Sequence, residues 1–282
     1  MQTIQQLTER FYYLPPYQPT DRPILAAVVG DTYTLILDSG NSSAHAKLLK
    51  EQLADYGVHG DFVVLTHWHW DHVFGLHELG LPSIANSLTR DHMKEMQTLS
   101  WEDHALDQRV EAGREIPFCA DAIKLGLGEN RTIFVPDPNI IFDQRVTINL
   151  GGVTCTIEKI GGDHSPDSNL LYIPEEKVLF LGDCLYANMY AEKWHYTIEN
   201  IDRLLNKIDS LDAKTYFLSH HPKPLNQNEF ASFRSRLKEC ARLTEKHRGK
   251  YDDIAKELPT RLGRNLNEED LEILEYFVNG YR

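Results

Sequence analysis

Two apolar runs, at 24–29 and 32–37, flank the dipeptide Gly30-Asp31. The pattern predicts a β-hairpin whose two-residue turn uses Gly30 to reach positive φ. After Asp38-Ser39-Gly40, the residues Ala44, Leu48, Leu49 and Leu53 recur at helical spacing. They predict a helix starting at about Ser43, its N-cap, and stopped by Gly57. The short apolar run at 62–65 reads as a buried strand that delivers Thr66 and the segment His67-Trp68-His69-Trp70-Asp71-His72. The first third of the chain is therefore ββαβ.

From about Asn86 to Asn130 the pattern changes. Met93, Met96, Leu99, Trp101 and Leu106 sit among charges without one clean period, which predicts helical pieces broken at Gly113 and Pro117. Alternation returns with Val146, Ile148 and Leu150, then Gly151-Gly152, then Val153, Cys155 and Ile157: a second hairpin with a two-glycine turn. Short strands follow at 170–173, 178–181 and 215–218, with a helix at 198–208. Asn226 and Glu229 make a capping-box pattern ahead of Phe230, Phe233, Leu237 and Cys240, and Asn267 caps a final helix. This order of elements predicts an α+β fold of two mixed sheets packed together with helices outside. Residues 1–225 form the main domain, with a helical excursion at 86–130. A helical C-terminal segment, 226–282, packs on the same domain.

Composition narrows the function. At 282 residues, 41% hydrophobic and 25% charged, the chain can bury a sizeable core. No stretch approaches the ~18 apolar residues of a membrane span, so no membrane partner is expected. The opening MQTIQQLTERFYYLPP has neither a basic nor an apolar leader region, which predicts a cytoplasmic protein. Asp and Glu outnumber Lys and Arg by 42 to 29, giving a net charge of −13 that repels nucleic acid. Seven Lys or Arg between Arg234 and Lys250 read as a solvated helix face. Cys119, Cys155, Cys184 and Cys240 form no CxxC pair, in keeping with a reducing compartment. The histidines, 13 of them, are the departure from ordinary composition.

His67 and His69 are two apart just beyond a predicted strand, so in extended chain both imidazoles point the same way. That is half of a tetrahedral metal site. Asp71 and His72 follow where a helix starts, and can face a second, adjacent metal position. Three later post-strand loops each add candidates: Asp163-His164, Asp183-Cys184 and His220-His221. Ligands at the ends of separate strands, converging on one sheet edge, are how a rigid scaffold builds a site. Trp68 and Trp70, between the histidines, are expected to point away into the core. Asp163, Asp167, His221 and Cys184 are read as structural residues.

These motifs, in this order, resemble the metallo-β-lactamase superfamily over roughly residues 20–225. The resemblance implies a four-layer αββα sandwich with a one- or two-metal site at its edge. It implies that one metal takes His67, His69 and His164, the other takes Asp71, His72 and His220, and Asp183 bridges them. Asp38 would then orient a ligating histidine through its second ring nitrogen. Two Zn²⁺ are expected, while the donor set also suits iron or manganese.

The expected chemistry is attack by a bridging hydroxide on a small-molecule ester, lactone or thioester. Asp71 would orient that nucleophile and shuttle its proton. Asp at the bridging position is similar to the glyoxalase II, lactonase and phosphodiesterase branches. Tyr186, three residues after Asp183, matches the spacing at which quorum-quenching lactonases hold the substrate carbonyl; packing is its other reading. An iron oxidoreductase similar to the persulfide dioxygenases and a phosphodiesterase are the alternative enzymes, and a ligand-binding protein without catalysis is the alternative class. Met93, Met96, Trp101 and Phe118 in the excursion either line the substrate pocket or pack against the sandwich.

Overall fold

Alternation along the central strands decides the layering. In β3 (Leu25–Val29), Ala26 and Val28 face one side, and Leu25 and Ala27 the other. In β4 (Thr34–Leu37), Leu35 and Leu37 face the first side and Ile36 the second. Both faces are apolar, so both must be covered. The computed structural model, which describes residues 2–129 and 131–282, shows how.

A seven-stranded sheet runs in the order β1 (Gln5–Thr8), β2 (Phe11–Leu14), β3, β4, β5 (Phe62–Val64), β6 (Ser83–Asn86) and β7 (Ile140–Phe142). It is antiparallel from β1 to β4 and parallel from β4 to β7. A six-stranded sheet contains β8 (Arg145–Asn149), β9 (Thr154–Lys159), β10 (Asn169–Ile173), β11 (Val178–Phe180), β12 (Thr215–Phe217) and β13 (Leu225–Asn226). Only the β11–β12 pair is parallel there. Phe11, Val28, Leu35 and Val64 from one sheet meet Ile157, Leu171, Phe180 and Phe217 from the other in a core between them.

The outer face of the first sheet is covered by α1 (Ser43–Ala54), α2 (Trp70–Val73), α3 (Leu76–Leu79), α4 (Ser87–Met96), α5 (Asp103–Glu111) and α6 (Pro117–Leu127). The outer face of the second carries α7 (Ile198–Asp209), α8 (Gln227–His247), α9 (Tyr251–Leu262) and α10 (Glu268–Gly280). The result is an αββα sandwich with a helical C-terminus. The expected capping box forms between Asn226 and Glu229, and Asn267 caps the final helix as expected, in a second box with Asp270. The basic stretch of α8 is a paired surface: Arg234 and Lys238 meet Asp209, Arg236 meets Glu269, and Lys246 meets Glu257.

Several local expectations need correction. The first hairpin turns at Asp31-Thr32, one residue later than expected, since Gly30 N–H donates to Tyr33 O and Val29 pairs with Thr34. Gly30 does not adopt positive φ; it is glycine because a Cβ there would sit 2.0 Å from the Leu150 carbonyl oxygen. The loop instead bonds the second hairpin, through Asp31 N–H to Gly151 O and Thr32 N–H to Leu150 O. That second hairpin has the expected two-glycine turn, with φ of 86° and 70°. The N-cap of α1 is Ser42, whose hydroxyl accepts from His45 N–H, and not Ser43. Pro117 opens α6 rather than breaking a helix, as its missing N–H permits. Strands β1, β2 and β6 carried no clear pattern. Asn130, where the predicted excursion ends, lies outside the described residues.

Candidate metal centre

Strands β4, β5, β9, β11 and β12 all run toward one end of the sandwich, so the loops that follow them meet there. Asp38 ends β4 in the left-handed region (φ 61°) and turns its carboxylate inward. Oδ1 accepts from Thr66 N–H at 2.7 Å, and Oδ2 accepts from the Thr66 hydroxyl at 2.8 Å. Oδ2 also lies 2.7 Å from His72 Nδ1. One buried carboxylate thus fixes the end of β5 and the tautomer of His72, leaving Nε2 to face the centre. Ser39 adds two bonds to the His72 carbonyl, from its N–H and its hydroxyl. Asn169 at the start of β10 donates twice to Thr66 O, tying the second sheet to the same corner.

Around this corner the structure brings together all seven residues of the expected ligand set. His67, His69 and His164 form one group. Asp71, His72, Asp183 and His220 form another, and within each group the candidate ligand atoms lie within 4.8 Å of one another. Asp183 Oδ2 reaches both groups: it is 3.4 Å from His164 Nε2 and 3.9 Å from His67 Nε2, and 3.4 Å from Nε2 of both His72 and His220. Asp71 Oδ2 sits 3.1 Å from both His72 Nε2 and His220 Nε2.

These groups fit cations. His67 Nε2, His164 Nε2 and Asp183 Oδ1 are buried without a hydrogen-bond partner. Each such atom costs about 1–3 kcal/mol unless something binds it. Burial and the neighbouring imidazoles lower the pKa of His67 and His69, keeping their nitrogens available as lone-pair donors. Burial alone would raise the pKa of Asp71 and Asp183, but the His72 and His220 imidazoles hold both carboxyls well below their ordinary value.

The other expected residues fall into place around the groups. Tyr186 lines the cleft beside them, and its hydroxyl accepts from His220 N–H at 3.3 Å. His221 turns outward, with Nδ1 against Lys223 O, so of the histidine doublet only His220 faces the centre. Asp163 caps α7 by accepting from Thr197 N–H and from Asn200, and Asp167 is held by Thr89 and Ser165. Cys184 is buried in the core under α7. Trp68 donates to Ser165 Oγ and stacks on His92. Trp70 is buried on the helix side as expected, and it also lines the cleft. Met93, Met96 and Trp101 pack against the first sheet instead of the cleft; of the four excursion residues, only Phe118 lines it.

Sequence reasoning missed Asp21 and Gln18. Gln18 donates to His220 O at 2.7 Å, and Asp21 Oδ1 lies 3.2 Å from His220 Nδ1. Burial and the Asp71 carboxylate push the Asp21 carboxyl up to about 7. Neither residue belongs to a recognisable motif, and no signal in the sequence joins 18–21 to 220.

The model of the Metallo-beta-lactamase superfamily matches residues 19–220, which contain every residue of both groups. The chain belongs to the metallo-β-lactamase superfamily. Among its relatives, the Beta-lactamase-like protein 2 homolog of Caenorhabditis elegans is 24% identical over 193 residues, covering 67% of this chain and 52% of the relative. The Metallo-beta-lactamase type 2 of Bacteroides fragilis is 23% identical, covering 66% and 62%. The chain therefore spans less than two thirds of either relative. A sec-alkylsulfatase from a Pseudomonas species superposes over 98% of this chain and 50% of its own, with TM-score 0.65 and 16% identity. A metallo-β-lactamase from Pontibacter korlensis covers 83% and 98%, with TM-score 0.57 and 18% identity. These structures share the fold. Among the described residues no helix is long and apolar enough to cross a membrane.

Proposed function

We propose that the protein is a dinuclear zinc hydrolase of small esters, lactones or thioesters. The observation that carries this reading is Asp183 Oδ2, which stands within 3.4–3.9 Å of ring nitrogens from both groups and so occupies a bridging place. His67, His69 and His164 would hold one ion, and Asp71, His72 and His220 the other. Bound there, two divalent cations would polarise the substrate oxygen and bring the pKa of a water toward ~7.

The chain's own residues supply the rest. Asp71, ionised at neutral pH, accepts a hydrogen bond from the nucleophile and orients it. Asp38 keeps His72 in one tautomer. Tyr186 is half-buried, and desolvation raises its pKa well above the ordinary value, so the hydroxyl keeps its proton. Because that oxygen accepts from His220 N–H, the proton is free to donate to a substrate carbonyl oxygen in the cleft.

The test begins with metal content, by elemental mass spectrometry on protein purified without added metal or chelator. About two zinc ions per chain, with hydrolysis of an ester or lactone panel, is the expected result. One iron and oxygen uptake with persulfides would overturn it. His69→Ala should abolish hydrolysis while the far-ultraviolet circular dichroism stays unchanged. Full activity in that variant would sink the metal-assisted mechanism.

A further inference from the structure

The cleft beside the two groups is small, about 210 Å³, below the usual range for drug-sized ligands. Its wall away from the ligand atoms comes from two places. The start of α6 contributes Ile116 and Phe118, and the loop after Asp183 contributes Tyr186, Met189 and Tyr190. Phe118 is 49% exposed, an aromatic ring held at the mouth of the cleft instead of in the core. Among the described residues, no lysine or arginine lines this space.

The titratable groups that stand near the wall, apart from the ligand residues, the tyrosines and Cys119, are carboxyls. Asp21 lines the cleft on the side of His220. Behind the wall, the Tyr190 hydroxyl donates to Glu115 Oε1 at 3.3 Å. Arg109, whose charge acts on Glu115, donates to Ser100 O and lies over Trp101, outside the cleft. An anionic group on this wall, away from the ligand atoms, would lose its water, find no lysine or arginine, and meet the carboxyl groups of Asp21 and, behind the wall, Glu115. An apolar chain would instead cover Phe118, Ile116 and Met189.

Resting on the hydrolase reading above, we propose that the substrate presents an uncharged, apolar acyl group to this wall. On the same grounds the cleft excludes acyl groups that end in a carboxylate or phosphate. Selectivity then resides in residues outside the ligand motifs, chiefly Phe118 and Met189.

The test uses zinc-loaded protein and two hydroxamic acids with the same metal-seeking head and the same chain length: hexanohydroxamic acid and the monohydroxamate of adipic acid. Calorimetric titration should show the first binding at least 30-fold more tightly. Equal affinities, or a preference for the anionic compound, would overturn the proposal. Met189→Lys and Phe118→Lys should each narrow the ratio at least fivefold, by strengthening binding of the adipic compound. An unchanged ratio in both variants would remove these residues from the wall's selectivity and also overturn it. The 4-nitrophenyl esters of the same two acids separate this proposal from the hydrolase reading. Discrimination between the hydroxamates without turnover of either ester would sustain the apolar wall and overturn the hydrolase assignment. Turnover of both esters at similar kcat/KM would sustain the hydrolase and overturn the wall.

Discussion

Asp21 Oδ1 stands 3.2 Å from His220 Nδ1, on the side of the ring opposite the nitrogen that faces Asp71 and Asp183. The left-handed backbone of Asp21 (φ 51°), after a 3-10 turn at Gln18–Thr20, sets that approach. Gln18 and Ile24 bond the carbonyls of His220 and Ser219 from the same arm. The arm thus holds the His220 backbone and sets a carboxyl group beside its Nδ1, without the hydrogen bond that Asp38 makes to His72. Outer partners of this kind typically change metal affinity by 10–100-fold. Asp21→Asn should therefore weaken metal binding by about tenfold or more at one of two sites, read by competition with a chromophoric chelator. Two unchanged affinities would reduce the contact to a packing detail.

Metal uptake should release protons. Burial alone would lower the pKa of His72 and of His220. The carboxylates of Asp71, Asp38 and Asp183 around His72, and of Asp183, Asp71 and Asp21 around His220, outweigh burial and raise both well above the ordinary value. In metal-free protein both rings are then protonated at neutral pH, and a cation must displace those protons to reach the lone pairs. Calorimetry in buffers of different ionisation enthalpy should report about two protons released. For raised pKa values, the stabilisation of the metal-free fold is complete below the unfolded value near ~6.5. It declines as pH rises through the folded values. Chelator-treated protein should therefore melt lower as pH is raised above neutrality, while metal affinity increases over the same range. A melting temperature that rises with pH would contradict this charge assignment.

Tyr186→Phe removes the one hydroxyl that both touches His220 N–H and lines the cleft. On a lactone substrate, kcat/KM should fall at least tenfold, or ~1.4 kcal/mol, with metal content unchanged. Unaltered kinetics would return Tyr186 to packing alone.

Gly75 links the helical layer to the centre. A Cβ there would lie 1.9 Å from Ser39 O, and Ser39 holds the His72 carbonyl. Its φ is −83°, so the constraint is contact and not backbone conformation. Gly75→Ala should cost about 2–3 kcal/mol, measured by denaturant unfolding of metal-free protein. It should also lower metal content by displacing His72. A loss below ~0.5 kcal/mol would mean that the backbone yields without strain.

What could be read without coordinates was whatever chemistry is local in the chain. The spacing of His67, His69, Asp71 and His72 is fixed within six residues, and strand alternation from Leu25 to Leu37 needs only near neighbours. The second hairpin could be read because two glycines at positive φ are a turn in themselves. The capping box at Asn226 and the cap at Asn267 close within one helical turn.

The misreadings share a different cause. Gly30 looked like a turn glycine, but its constraint is the Leu150 carbonyl of the other sheet. β1 is an edge strand whose residues are exposed or half-buried, so no hydrophobic pattern marked it. Met93, Met96 and Trp101 are apolar whether they line a cleft or back a sheet, and only the packing of α4 and α5 assigned them to the sheet. Periodicity and spacing, which are properties of the chain, exposed the layered fold and the His67–His72 cluster, while His164, Asp183 and His220 joined that cluster through the family resemblance. Tertiary structure alone placed Asp21 against His220 and a wall without lysine or arginine along the cleft. Those relations join segments far apart in the chain, and their energies depend on burial and distance, which no spacing of residues specifies.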